Sequence, residues 1–128
     1  MRLLIVEDSE LVRKFMTELL LGIANVECVY EAGTLHEALE GIRRDQPDMV
    51  VLDVHLPDGN AIDVIAEFKK VAPNMLIAMF TGDVTEFTKK RSFYAGADWF
   101  FDKFMEFEKV LGVVRELARQ ERLNDLRC

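Results

Sequence analysis

Asp53 follows the apolar run Met49-Val50-Val51-Leu52 and precedes Val54-His55-Leu56-Pro57-Asp58-Gly59. Four apolar residues in succession, with β-branched valine twice, read as a strand buried on both faces. A carboxylate at the end of such a strand is poorly solvated, so it needs a partner or a task. Glu7-Asp8 holds the same position after Leu3-Leu4-Ile5-Val6. Two further runs end in groups of other chemistry: Met79-Phe80 leads into Thr81-Gly82, and Phe100-Phe101 into Asp102-Lys103. Three acids brought together repel one another and raise at least one pKa unless a cation sits among them. Magnesium suits such a set, because it takes hard oxygen ligands and keeps waters or phosphate oxygens for the rest. A threonine hydroxyl donates to an oxyanion, glycine allows close backbone approach, and lysine supplies a point charge suited to phosphate. Singly, these residues read as a helix cap, a solvated acid, a turn and an exposed lysine. Together they bind a metal and a phosphoryl group.

Strands are expected at Leu3–Val6, Val26–Glu31, Met49–Leu52, Met75–Phe80 and Ala97–Phe101. Helical patterns fill the intervals. Ser9 is placed to cap a helix with Val12, Phe15, Met16, Leu19 and Leu20 at helical spacing. Thr34-Leu35-His36-Glu37 fits a capping box ahead of Ala38, Leu39 and Ile42. Asn60 opens a third helix with Ile62, Ile65, Ala66 and Phe68, stopped near Pro73. A fourth runs roughly from Thr85 to Tyr94, ended by Gly96, and a fifth spans about Glu106 to Leu123. The pattern predicts an α/β fold of five βα units, (βα)5, with a doubly wound parallel five-stranded sheet. With strand order 2-1-3-4-5, the order reverses between strands 1 and 3, beyond whose carboxyl ends ligands bind. Glu7, Asp8 and Asp53 lie there.

The ordered combination of Glu7-Asp8, Asp53, Thr81 and Lys103, across almost the whole chain, resembles the receiver domain of two-component response regulators. Pro47 through Gly59 looks typical of that family, whose fold is flavodoxin-like. The resemblance implies that Asp53 is the phosphoacceptor. It further implies that Asp8, Asp53 and the His55 carbonyl bind Mg²⁺, with Mn²⁺ able to substitute, and that Glu7 acts largely through a metal water. Thr81 and Lys103 would contact the phosphoryl oxygens, and Phe100 matches the aromatic switch position. The implied donor is a sensor histidine kinase or a histidine phosphotransfer protein. The implied output is a dimer or effector contact through helix 4, strand 5 and helix 5, with no enzymatic role beyond the domain's own phosphotransfer and autodephosphorylation. Residues 1–123 would form the receiver, and 124–128 a tail or linker start.

Two residues depart from the family pattern. Family members usually carry proline after the rim lysine, often through a cis bond, whereas this chain has Phe104. A cis bond before a non-proline residue costs ~2.5–4 kcal/mol, so Lys103–Phe104 is expected to be trans with a reshaped loop. Asp83, two residues after Thr81, brings an acid towards the site, where it would order the attacking water or repel the phosphoryl charge. His55 would likewise tune dephosphorylation. Among the aromatics, Phe87, Tyr94, Trp99, Phe104 and Phe107 are candidates for the output contact, since an edge strand beside exposed aromatics invites pairing. Leu11 and Phe15 are candidates for docking a kinase helix.

Rival functions make different demands. An aspartyl-phosphate phosphatase usually wants a second acid two residues beyond its nucleophile, where His55 stands. A flavodoxin-like electron carrier needs hydroxyls and glycines in its first loop, and Glu7-Asp8-Ser9-Glu10 would repel its phosphate. A receiver working without phosphate would have no need of the intact acceptor set. Bulk properties fit the signalling reading. At 128 residues the chain is one ordinary domain, and a net charge of −7 argues against a nucleic-acid surface. Cys28 and Cys128 have no metal-ligand spacing and suit a reducing cytosol. Neither a signal peptide nor a bilayer-spanning run is visible, so a cytoplasmic location without membrane contact is expected.

Overall fold

The structure, a computed structural model, describes the backbone of residues 1–127 and the side chains up to Glu121. The sheet strands are β1 (Arg2–Val6), β2 (Cys28–Ala32), β3 (Met49–Leu52), β4 (Leu76–Thr81) and β5 (Trp99–Asp102). They alternate with α1 (Glu10–Leu21), α2 (Leu35–Asp45), α3 (Ile65–Val71), α4 (Glu86–Ala95) and α5 (Phe107–Arg127). All pairs are parallel and the order is 2-1-3-4-5, as the sequence predicts. Cys128 lies outside the described residues.

Two apolar layers follow from strand alternation, which sends successive side chains to opposite faces. Leu4, Val6, Val50, Leu52, Ile77 and Met79 pack on the side of α2 and α3, around Ile42, Ile65 and Phe68. Leu3, Ile5, Met49, Val51, Ala78 and Phe80 pack on the other side, against Met16 and Leu20 of α1 and Val110 and Val114 of α5. The runs are apolar at every position because both faces are covered.

Local chemistry sets the helix ends. Ser9 Oγ accepts from Val12 N at 3.3 Å, Thr34 Oγ1 from Glu37 N at 3.1 Å, and Thr85 Oγ1 from Thr88 N at 3.2 Å. The expected capping box is half formed, because Glu37 Oε2 accepts from Gly33 N (2.9 Å) instead of from the cap residue. Gly96 ends α4 at φ 121°, a conformation glycine adopts without strain. Strand β2 begins two residues later than expected because Val26 N closes a turn onto Ile23 O, with Asn25 at φ 73°. The third helix is not continuous from Asn60: Ala61–Val64 form a 3-10 turn before α3 begins.

Helix α4 differs from the others in how it is held. Its buried side chains are Thr88 and Ser92, whereas Phe87 and Tyr94 are 71% and 97% exposed. Ser92 Oγ donates back to Thr88 O at 2.8 Å and Thr88 Oγ1 donates to Asp83 Oδ2 at 2.9 Å, so the inward face of this helix is polar and satisfied.

Candidate functional site

Sheet register brings the acids together. Val6 pairs with Leu52 across β1 and β3, so the next residues, Glu7 and Asp53, emerge side by side at the carboxyl rim. Asp53 N continues the ladder onto Val6 O at 3.1 Å, and Glu7 N onto Ala32 O at 3.0 Å. One oxygen from each of Glu7, Asp8 and Asp53 lies within 4.8 Å of the others. Glu7 and Asp53 are buried, and Asp8 is exposed at the mouth.

Lys103 closes the cluster from β5. Its Nζ donates to Asp53 Oδ2 at 3.0 Å and forms a close ion pair with Glu7 Oε1. The remaining Asp53 oxygen accepts from Val54 N at 2.7 Å. Glu7 Oε2 accepts from Ser9 N at 3.1 Å, while Glu7 Oε1 receives no directed hydrogen bond, although it lies against the ammonium. Burial pushes the Glu7 carboxyl above its ordinary range, and the neighbouring Asp8 pushes the same way, outweighing Lys103 and the Ser9 N–H. Asp8 is held below its ordinary range, chiefly by its hydrogen bond with Glu7. Burial opposes the Lys103 charge, yet its bonds to Glu7 and Asp53 outweigh that and raise its pKa.

One ammonium among three carboxylates leaves surplus negative charge, and a buried oxygen of Glu7 keeps unused lone pairs. Hard oxygen donors at this spacing fit a magnesium ion, with room for waters or phosphate oxygens. Thr81 is 1% exposed, and its Oγ1 accepts from Asp83 N at 3.1 Å. Phe100 is partly buried against the layer under α2 and α3.

The family departure at Phe104 has a physical reason. Phe104 N donates to Asp102 Oδ1 at 2.9 Å, a bond proline lacks the hydrogen to make. Its ring lies over Gly82, where a Cβ would stand 2.6 Å from Phe104 Cε2. As expected, Lys103–Phe104 is trans, with no cis peptide among the described residues. Asp83 does not point free into the cluster: its carboxylate bonds His55 Nε2 at 2.8 Å, with Thr85 and Thr88 beside it. Of the output candidates, Phe87, Tyr94 and Phe104 are exposed, whereas Trp99 and Phe107 pack against the core. Leu11 and Phe15 are 82% and 58% exposed, and Phe15 meets Phe107 at a tilt of 43°, 6.1 Å between ring centres.

Two supporting residues were not anticipated. Arg13 donates to Glu7 O at 2.6 Å and to Glu31 Oε1 at 3.3 Å, fixing the backbone that carries the acid pair. Asp58 accepts from Leu35 N (2.8 Å) and His36 N (3.0 Å), which ties the loop after Asp53 to α2. That loop is shaped by a short ladder of His55–Leu56 with Gly59–Asn60. An acid in a Pro-Asp-Gly turn carries no sign of a cap made across 23 residues.

Residues 3–115 match the family model described as the response regulator receiver domain. The chain belongs to that family. The receiver is 28% identical over 127 residues to the DNA-binding transcriptional activator DevR/DosR of Mycobacterium tuberculosis, covering 99% of this chain and 58% of the relative. It is 25% identical over 120 residues to the response regulator protein VraR of Staphylococcus aureus, covering 94% and 57%. A crystal structure of a CheY-like response regulator receiver domain protein from Methanospirillum hungatei superposes with a TM-score of 0.83 at 25% identity, covering 96% of this chain and 97% of that one. The receiver thus spans a little over half the length of the curated relatives it matches. Receiver domains are signalling domains that bind Mg²⁺ at such an acidic pocket, in response regulators that work with histidine kinases and with effectors such as DNA-binding domains. Among the described residues, no helix is long and apolar enough to cross a membrane.

Proposed function

We propose that Asp53 accepts a phosphoryl group from a phosphohistidine on a sensor histidine kinase or phosphotransfer protein. The observation that carries this reading is the Lys103 ammonium bound at once to Asp53 and Glu7, within a cluster of three carboxylates. An Asp53 oxygen attacks phosphorus in line with the leaving imidazole, forming a P–O bond as the P–N bond breaks. Lys103 then exchanges its carboxylate contact for a phosphoryl oxygen, offsetting the charge carried across. Thr81 donates its hydroxyl hydrogen to a second phosphoryl oxygen. Asp8, Asp53 and the His55 carbonyl would hold Mg²⁺ directly and Glu7 would act on it indirectly, with Mn²⁺ able to substitute. When bound, the metal offsets the charge of the carboxylates and of the transferring group.

The acyl phosphate draws Thr81 and Lys103 inward, and Phe100 turns into the space they leave. The surface of α4, β5 and α5 then engages a second copy or an effector, the exposed Phe87, Tyr94 and Phe104 being available for it. Residues 1–123 form the receiver unit, whose last helix runs on to Arg127. The reading carries no catalysis beyond self-phosphorylation and its reversal, and it fits a cytoplasmic protein. Incubating the chain with acetyl phosphate and Mg²⁺ tests it by intact mass: one phosphoryl group is gained by the parent, and none by Asp53→Asn or with EDTA. Equal labelling of Asp53→Asn refutes it.

A further inference from the structure

The Asp83 carboxylate joins two loops and a helix. Oδ2 accepts from His55 Nε2 at 2.8 Å and Thr88 Oγ1 at 2.9 Å, and Oδ1 from Thr85 Oγ1 at 3.0 Å and Thr85 N at 3.4 Å. Since a carboxylate only accepts, the hydrogen in the first contact belongs to Nε2. The Asp83 side chain is 25% exposed, against 64% for His55. His55 stands two residues beyond Asp53, and Asp83 two residues beyond Thr81. The bridge therefore links the loop that follows one site residue to the loop that follows the other. Asp83 reaches Thr81 through its backbone, its N–H donating to Thr81 Oγ1 at 3.1 Å. A hydroxyl that accepts there keeps its own hydrogen for another acceptor.

We propose that His55 and Asp83 are a positioning pair, which fixes the Thr81 hydroxyl and the first turn of α4 relative to the loop that follows Asp53. Thr85 caps α4 and Thr88 lies in its first turn, so both α4 contacts of Asp83 bear on one end of that helix. A shift of Thr81 towards Asp53 either breaks the bridge or carries His55 with it. In both cases the change reaches α4 through the His55–Asp83 contact, beside the Arg91–Asp63 pair that ties α4 to the 3-10 turn. Only the kinetic part of this inference rests on the proposed phosphoryl transfer.

Amide hydrogen exchange at Thr88 and Lys89, which bond to Thr85, reads the coupling without any phosphorylation. His55→Ala speeds exchange there about 1.4- to fivefold, the range set by an exposed polar side-chain pair. His55→Gln, which keeps a donor, largely restores it, and His55→Ala adds nothing in an Asp83→Ala background. Unmoved α4 amides, equal effects in both backgrounds, or a loss in His55→Gln as large as in His55→Ala would each overturn the pair. In the second arm, the double variant changes the rate of acetyl phosphate uptake by the same factor as Asp83→Ala alone; multiplying factors overturn the pair. If no variant takes up a phosphoryl group, the transfer reading fails while the exchange result still decides the pair.

Discussion

Replacing Asp8 by Asn removes one of three crowded carboxylates and leaves both ion pairs of Lys103 in place, because they run to Glu7 and Asp53. Like charges within 4.8 Å repel by at least about 3.5 kcal/mol at an effective dielectric near 20. Asp8 is exposed, so water screens most of this and about 1 kcal/mol survives. The lowered Asp8 pKa works against this, because a carboxylate favoured in the fold contributes stability, so Asp8→Asn should stabilise the metal-free protein by at most about 1 kcal/mol, roughly 3–5 °C in Tm for a domain of this size. Urea and thermal unfolding in EDTA measure it. Saturating Mg²⁺ should reverse the order, since a ligand at a hundred times its Kd adds about 2.7 kcal/mol to the parent and far less to a variant lacking one ligand. The raised Glu7 pKa adds a pH signature. A raised carboxyl loses stability as pH climbs above its ordinary 4.5, so in EDTA the parent weakens over that rise and Asp8→Asn weakens less. If Asp8→Asn is the less stable protein in EDTA, the crowding argument is wrong, and if Mg²⁺ leaves the order unchanged, Asp8 is not a metal ligand.

Phe68 is 1% exposed beneath the sheet, and Phe68→Ala should cost about 3–5 kcal/mol in urea unfolding at unchanged m-value. Gly82→Ala forces the Phe104 ring aside, but that ring is 78% exposed and free to swing. A double-mutant cycle with Phe104→Ala should give a coupling of only about 0.5–1 kcal/mol, and a strictly additive cycle would remove the contact. The Asp83 carboxyl is held down to about 2, first by His55 and then by Thr88. A depressed carboxyl contributes stability above its ordinary 3.8 that is lost as pH falls through the lowered value. The stability gap between parent and Asp83→Asn should thus be full above pH 3.8 and close near pH 2, and a gap independent of pH would contradict the bridge.

The fold was legible because its strands are apolar without interruption and its helices carry side-chain caps at Ser9, Thr34 and Thr85. Met49–Leu52 came out with both ends as predicted, because buried runs end where a carboxylate begins. Boundaries slipped where backbone turns decide, as at Asn25 before β2 and at the 3-10 turn before α3. The acid cluster was legible too, since each acid directly follows its strand and parallel register fixes the neighbours. Contacts between loops were not. Nothing in the order of residues reveals that Asp83 meets His55 28 positions away, or that Asp58 caps α2. Such pairs depend on loop paths set by the whole fold, whereas periodicity reports only which face of an element is buried.

Thr88 and Ser92 on the inner face of α4 bear on how such a surface diverges. A helix whose buried side chains are Thr88 and Ser92 contributes little apolar burial to the core, so its outer residues are free to change without endangering the fold. Phe87, Phe93 and Tyr94 stand on that unburdened side. Substitutions there should leave the fold intact, so over sequence drift this face of α4 is free to diverge while the apolar layers stay fixed.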